Sequence, residues 1–188
     1  MGLGAGFDLK LAARQETLLS KVATPLIGLP VAHVWRSYGS ALFLEFGQLS
    51  PGRARPDGFT GEAQGEMGLM IERSWRIERP RSIFCGSWSE EARWPKAFKA
   101  LTGAKVRSVE IFGRLPEIAV ALSNGMHVAS FMTAGGQPDW ALFDRRGPET
   151  SWLTVRNGLV VTETALNHRR VPRGAEVAEQ RPGSRSGR

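Results

Sequence analysis

The sequence predicts a mainly β domain of the α+β class. It reads as an antiparallel meander curled into a barrel or a two-layer sheet, with an N-terminal helix and one helix between two similar halves. Three observations predict this. The pattern L-x-G-x-x-V-x-x-V is written twice, as Leu26, Gly28, Val31, Val34 and again as Leu101, Gly103, Val106, Val109. Each copy is followed by a short polar or glycine-containing break and a second apolar run, Leu42 to Phe46 and Leu115 to Leu122, which is the signature of a hairpin. Asn124-Gly125, Gly135-Gly136 and Asn157-Gly158 then punctuate the second half, and such dipeptides favour tight turns between antiparallel strands.

The 188 residues suffice for one domain with tails. They divide into an N-terminal helical segment, 1–25, a β-rich domain, 26–167, and a C-terminal tail, 168–188. Within the domain the pseudo-repeats are 26–86 and 101–165. The formal charge is +7, and its location decides what it means. Six arginines against two glutamates give the tail +4, and the N-terminal segment carries +1. The domain keeps only +2, which argues against a basic nucleic-acid-binding face on the fold itself. Cys85 is the single cysteine, so no intrachain disulfide can form, and a reducing, cytoplasmic setting is expected. The N-terminus lacks a basic region followed by an apolar stretch, so no signal peptide is expected. No run approaches the ~18 apolar residues of a membrane span.

Taken in order, Gly2, Gly4 and Gly6 form a flexible lead-in without the strand that a dinucleotide fingerprint requires. Asp8 is a candidate N-cap for a helix to about Val22, with Leu11, Leu18, Leu19 and Val22 on one side. Val31 to Tyr38 and Ala41 to Phe46 form the first hairpin. Val31 and Val34 are three apart and cannot share a face of a regular strand, and Val106 and Val109 repeat the spacing. A late start or a bulge would resolve it, in both copies alike. Gln48 to Glu66 is rich in Pro and Gly and reads as a long irregular loop. From Leu69 an alternating run places Leu69, Ile71, Trp75 and Ile77 on one side, with Arg73 on that side too, until Pro80 breaks it. Ser87 and Glu90 fit a capping box for a helix through about Leu101, with Pro95 kinking or restarting it. Strands at Lys105 to Phe112, Glu117 to Leu122, Met126 to Met132, Trp140 to Phe143, Ser151 to Val155 and Leu159 to Thr164 complete the meander. Beyond His168, Pro, Gly, Ser and Arg dominate, and a disordered basic tail is expected.

The chemistry-bearing residues point away from catalysis. His33, His127 and His168 lack any metal-ligand spacing, so neither metal nor cofactor is expected. No nucleophile elbow occurs, and Cys85 within Ile83 to Cys85 reads as a buried, inert thiol. Glu45, Glu72, Glu117 and Asp139 are carboxylates of strands and turns, expected to be solvated. Paired across a cleft they would offer acid/base chemistry. Trp35, Trp75, Trp140 and Trp152 fall in strands, where they fill a core or pave a face that anchors a protein partner. The candidate binding residues are therefore Arg73, Trp75, Glu117, Asp139 and Trp140, and no catalytic residue is assigned.

The paired L-x-G-x-x-V hairpins, Ala41-Leu-Phe-Leu-Glu-Phe-Gly47, Ser74-Trp75-Arg76-Ile77 and Asp139-Trp140-Ala-Leu together resemble uncharacterised bacterial domains of unknown function, some of them similar to immunity proteins of toxin systems. The resemblance covers about 26–147 and implies a small β-rich bacterial cytoplasmic protein that binds rather than catalyses. The leading expectation is a non-enzymatic protein-binding module. One alternative is a small-molecule-binding or hydrolytic barrel joining Arg73 to Glu117 or Asp139 in a pocket. The other is a nucleic-acid accessory protein acting through Arg169, Arg170, Arg173, Arg181, Arg185 and Arg188.

Overall fold

The computed structural model describes residues 4–52, 54 and 58–166, and the side chains of 4–13 and 166 fall outside that description. The tail, 168–188, with its six arginines, lies outside the described residues. Two helices, α1 (Gly4–Ala23) and α2 (Trp94–Leu101), accompany eleven strands. These are β1 (Val31–Arg36), β2 (Leu42–Ser50), β3 (Gln64–Ile71), β4 (Trp75–Arg79), β5 (Ser82–Gly86), β6 (Val106–Phe112), β7 (Glu117–Leu122), β8 (His127–Ser130), β9 (Trp140–Asp144), β10 (Glu149–Arg156) and β11 (Leu159–Leu166). They form two antiparallel sheets, one ordered β1-β2-β3-β9-β10-β11 and the other β5-β4-β8-β7-β6. Of the two architectures expected, this is the two-layer one. The sheets do not close into a barrel.

The twice-written pattern is where the sheets meet. In each copy a helical segment ends at a fully buried leucine, Leu26 or Leu101. Next comes a glycine in the left-handed region, Gly28 at φ +86° and Gly103 at φ +85°, a conformation costly for any residue with a Cβ. The two segments then pair with each other. Gly28 N–H donates to Val106 O at 2.9 Å and Gly103 N–H to Val31 O at 2.8 Å. Val31 N–H donates to Ala104 O at 2.8 Å and Val106 N–H to Leu29 O at 3.0 Å. Exchanging one copy for the other turns each bond into its counterpart, about the Pro30–Lys105 bridge. The spacing puzzle resolves identically as well: a register shift falls between Val31 and His33 in β1 and between Val106 and Ser108 in β6. The bulges let Val31 and Val34, like Val106 and Val109, all face the core.

The correspondence continues along the chain. β1-β2-β3 is one meander and β6-β7-β8 the other, and after its third strand each half crosses into the opposite sheet. The run from Leu69, expected to continue in one strand as far as Pro80, is therefore cut at Glu72–Ser74. β3 lies in one sheet and β4 in the other. At the crossings Glu72 N–H donates to Asp139 O at 2.9 Å and Phe131 N–H to Ser74 O at 3.0 Å. Each crossing delivers a fully buried tryptophan. The Trp75 indole N–H donates to Ser40 O at 2.5 Å and that of Trp140 to Pro116 O at 2.7 Å, which satisfies the one polar atom each ring brings into the core.

Inward residues of both sheets and of both helices belong to one apolar core. α1 packs against β6, β10 and β11, while α2 packs against β1 and β5; each helix thus spans an open side between the sheets. The capping box is not made. Ser87 Oγ instead accepts from Trp75 N–H at 3.3 Å, a 3-10 turn occupies Glu91–Arg93, and α2 starts at Trp94 with Pro95 in its first turn, where a missing N–H costs nothing. The loop expected over 48–66 is shorter, because β2 runs to Ser50 and β3 begins at Gln64.

An alanine at Gly28 or Gly103 meets no atom within 4 Å, so only backbone strain opposes it. Gly28→Ala and Gly103→Ala should each cost about 1 kcal/mol, and by similar amounts. Urea denaturation of the two variants checks this.

Candidate functional site

The two sheets share a framework, and their outward positions can be compared row by row. In the six-stranded sheet one cross-strand row reads Trp35, Phe43, Met70, Ala141 and Thr154. The next reads His33, Glu45, Gly68, Phe143, Trp152 and Glu163. The corresponding rows of the five-stranded sheet read Glu110, Ala119, Ala129, Arg76 and Gly86, then Ser108, Ala121, His127, Glu78 and Ile83. The first pair of rows carries four aromatic rings. The second carries none and is mainly alanines and charges, with Phe131 packed against Arg76 beside it.

On the aromatic face Trp35 stacks on Phe43 with ring centroids 4.0 Å apart, and Phe143 tilts against Trp152 at 6.1 Å. All four rings and Met70 are half-buried. Between the two aromatic pairs lies an ion pair. Glu45, expected to be solvated, is only 1% exposed; its carboxylate accepts from Arg145 Nη1 at 2.9 Å, Gly65 N–H at 2.9 Å and the Trp35 indole at 3.4 Å. The Arg145 guanidinium also lies 4.9 Å from the centre of the Phe143 ring. Gly68 makes room for the pair, since a Cβ there would meet Arg145 Nη1 at 2.7 Å and Glu45 Oε2 at 2.9 Å. At the ends of the face, His33 pairs with Glu62 at 2.9 Å, and Glu163 holds both Arg156 at 2.8 Å and the Trp152 indole at 3.0 Å.

No protein-family model, curated protein or solved structure matches the chain. The functional reading therefore stands on this geometry.

The five residues expected to bind fall in three separate places. Trp75 and Trp140 are core residues, 0% exposed. Arg73 and Asp139 come together at the crossing, Nε to Oδ2 at 3.9 Å, both reaching solvent. Glu117 is engaged by the fold itself. It accepts from Ser130 Oγ at 2.5 Å and Met132 N–H at 2.6 Å, tying the start of β7 to the end of β8. Glu72 joins Arg73 and Asp139: its carboxyl is held above the ordinary glutamate value by a hydrogen bond to Asp139 and by that group's charge. The four strand tryptophans do not share a face. Trp35 and Trp152 stand outside the six-stranded sheet, while Trp75 and Trp140 lie within the core.

Cys85 is buried, opposite Ile77. Among the described residues, no group of three or more His, Cys, Asp or Glu gathers into a metal-binding arrangement, and every buried side-chain nitrogen or oxygen has a hydrogen-bond partner. No helix among them is long and apolar enough to cross a membrane. An open groove along the end of α1, lined by Glu16, Ser20 and Lys21 among others, gathers no such cluster.

Two outcomes test this description. Glu45→Gln removes one member of a buried pair and should cost about 3 kcal/mol in chemical denaturation, whereas Glu45→Gln combined with Arg145→Met should cost less, because no guanidinium is left unpaired. Glu72→Gln should stabilise the fold at pH 7 by a few tenths of a kcal/mol, a small effect because the group is exposed. A carboxyl whose folded value is raised opposes folding while ionised and stops doing so once protonated. The gain should therefore fade as pH falls through the raised value toward 4.5, which thermal melts from pH 7 to pH 4 would track.

Proposed function

We propose that this chain is a non-enzymatic binding module that engages another protein through the outer face of its six-stranded sheet. The observation that carries the reading is the contrast between the two outer faces. Both sheets present the same framework positions to the outside, yet Trp35, Phe43, Met70 and Phe143 stand where the other sheet has Glu110, Ala119, Ala129 and Glu78. Whatever the framework requires at these places, alanine and charge meet it. The aromatic choice then needs another cause, and large rings at the centre of a polar-rimmed patch are the usual anchors of protein interfaces.

The matched hydrogen bonds also support reading the two halves as a duplicated unit whose copies have diverged on their outer faces. Stoichiometric blocking of a partner, as the resemblance to immunity proteins implies, requires only such a face. The lone, buried Cys85 suits a cytoplasmic setting. The pocket reading has less support: Glu117 is taken up by Ser130 and Met132, and Arg73, Glu72 and Asp139 lie at the surface of a crossing.

The test is capture from a lysate of the native host. Immobilised chain carrying Trp35→Ala with Trp152→Ala should lose its specific partner, with capture weakened roughly tenfold or more, while Ala119→Ser with His127→Ala on the opposite face should retain it. Equal capture by both double variants, each verified as folded by near-UV circular dichroism, overturns the reading.

A further inference from the structure

The small net charge of the domain hides how its charges are arranged. Among the described residues, Arg79, Arg81, Lys99, Lys105 and Arg107 form no ion pair. All five are exposed, and the fold gathers them at one end of the five-stranded sheet, around the Ser123–Gly125 turn between β7 and β8. Pro80, which separates Arg79 from Arg81, has its Cγ 4.0 Å from where a Cβ on Gly125 would stand. The Asn124 carboxamide donates to Ala100 O at 2.9 Å, beside Lys99. Ser123 N–H donates to Lys105 O at 2.8 Å, and Ser123 Oγ accepts from Lys105 N–H at 2.9 Å. Arg107 follows at the bulge of β6. A near-neutral sum therefore does not exclude a basic surface on the fold.

The acids closest in sequence do not offset these charges. Glu78, beside Arg79, is bonded to Arg76. Glu110, three residues on from Arg107, accepts from Ser108 Oγ at 3.3 Å. Nor does the framework ask for bases here. In the first copy of the repeated pattern Thr24, Pro30 and Ala32 hold the places of Lys99, Lys105 and Arg107. Like charges held together repel one another, and an anionic partner relieves that repulsion.

We propose that this end of the five-stranded sheet binds the phosphate backbone of a nucleic acid. From β4 to β6 is three strand spacings, about 14 Å, so the bases form a band. Such a band covers about four base-pair steps of a duplex at 3.4 Å each. Arginine forks and lysine ammonium groups both take phosphate oxygens. Ser82, Thr102, Ser123 and Asn124 stand exposed among them, and backbone contacts draw on this mixture of bases, hydroxyls and amides. A membrane surface would also call for apolar side chains to insert, and of the large exposed hydrophobic residues only Ile83 lies in these segments. The surface is separate from the aromatic face, and neither reading depends on the other.

The experiment titrates a fluorescein-labelled DNA duplex of about 20 base pairs, long enough to cover the band, with the full chain and follows anisotropy across a series of sodium chloride concentrations. A single-stranded RNA of the same length, run alongside, distinguishes two sources of the same backbone. Two variants lose equal charge, Arg79→Gln/Arg81→Gln/Lys105→Gln at the proposed surface and Arg14→Gln/Arg93→Gln/Arg114→Gln away from it. Near-UV circular dichroism verifies that both are folded. The first variant should bind the preferred probe about tenfold or more weakly, with the slope of log K against log salt reduced by about 3. The second should stay within about threefold of the parent chain, with its slope changed by less than about 1. The arginines beyond Leu166 are common to all three chains, so their contribution cancels. Equal weakening in both variants would trace the affinity to net charge and overturns the proposal. So does a parent chain that binds neither probe, or a first variant that binds like the parent. Retention on phosphatidylserine vesicles that depends on Arg79, Arg81 and Lys105, while nucleic-acid binding does not, would make the partner a membrane and overturns it too.

Discussion

Four backbone hydrogen bonds between the two L-x-G-x-x-V segments set the course of both sheets. Each is worth only about 1 kcal/mol net, but they are made at the place where both sheets begin. Gly28 and Gly103 turn the chain out of a helical segment in the left-handed region, and Val31 and Val106 then enter their strands already paired with the opposite copy. The bulges just beyond shift the phase of β1 and β6 so that both valines of each pattern face inward. Had either hairpin formed without its bulge, Val34 or Val109 would point to solvent, since a one-residue slip reverses every later side chain.

The same pairing explains why each half completes the other's sheet. Once β1 and β6 start side by side and diverge, the third strand of each meander ends beside the opposite layer. Glu72 and Phe131 are held there by Asp139 and Ser74. The chain crosses, and Trp75 and Trp140 enter the core just past the crossing. Their indoles bond to the β1–β2 and β6–β7 turns, so each crossing is fastened to the hairpin that it leaves behind. Each sheet is built from strands of both halves, and the two are expected to fold as one cooperative unit.

Much of this was legible in the chain. Period-two alternation and the Asn-Gly pairs located the strands of the second half, and Asn157 with Gly158 does adopt the two positive φ values of a tight turn. The paired valine spacing announced a late start or a bulge, alike in both copies, and both carry the register shift. The crossings were not legible. Leu69, Ile71, Trp75 and Ile77 keep one phase across Glu72–Ser74 because both sheets face the same core, so alternation carries no mark of a change of sheet. The capping box failed for a related reason: Ser87, one residue past β5, is occupied by Trp75 of the neighbouring strand β4. The outer face was hidden by distance. Glu45 and Arg145 are a hundred residues apart in the chain, and an alternating strand shows which residues share a face but not which face another strand will cover. Only Gly68, breaking an apolar run with no turn to make, hinted that something large sits above it.

A chain that builds the same framework twice supplies its own control for what the framework needs. Leu44 and Val120, Ile71 and Ser130, and Trp140 and Trp75 hold matching inward positions, and most of these pairs stay apolar. Outward, the pairs part: Trp35 stands against Glu110, Phe43 against Ala119, Glu45 against Ala121. Burial explains the first set, because either layer without apolar side chains would leave a void in a shared core. It does not explain the second, where the five-stranded sheet is complete with alanines and with the Arg76–Glu78 ion pair. A half-buried ring loses rotamer freedom and recovers only part of the free energy of full burial from its neighbours in the sheet. Four such rings beside a buried ion pair are therefore more than the framework needs, and the proposed contact with a partner protein is what would account for the surplus.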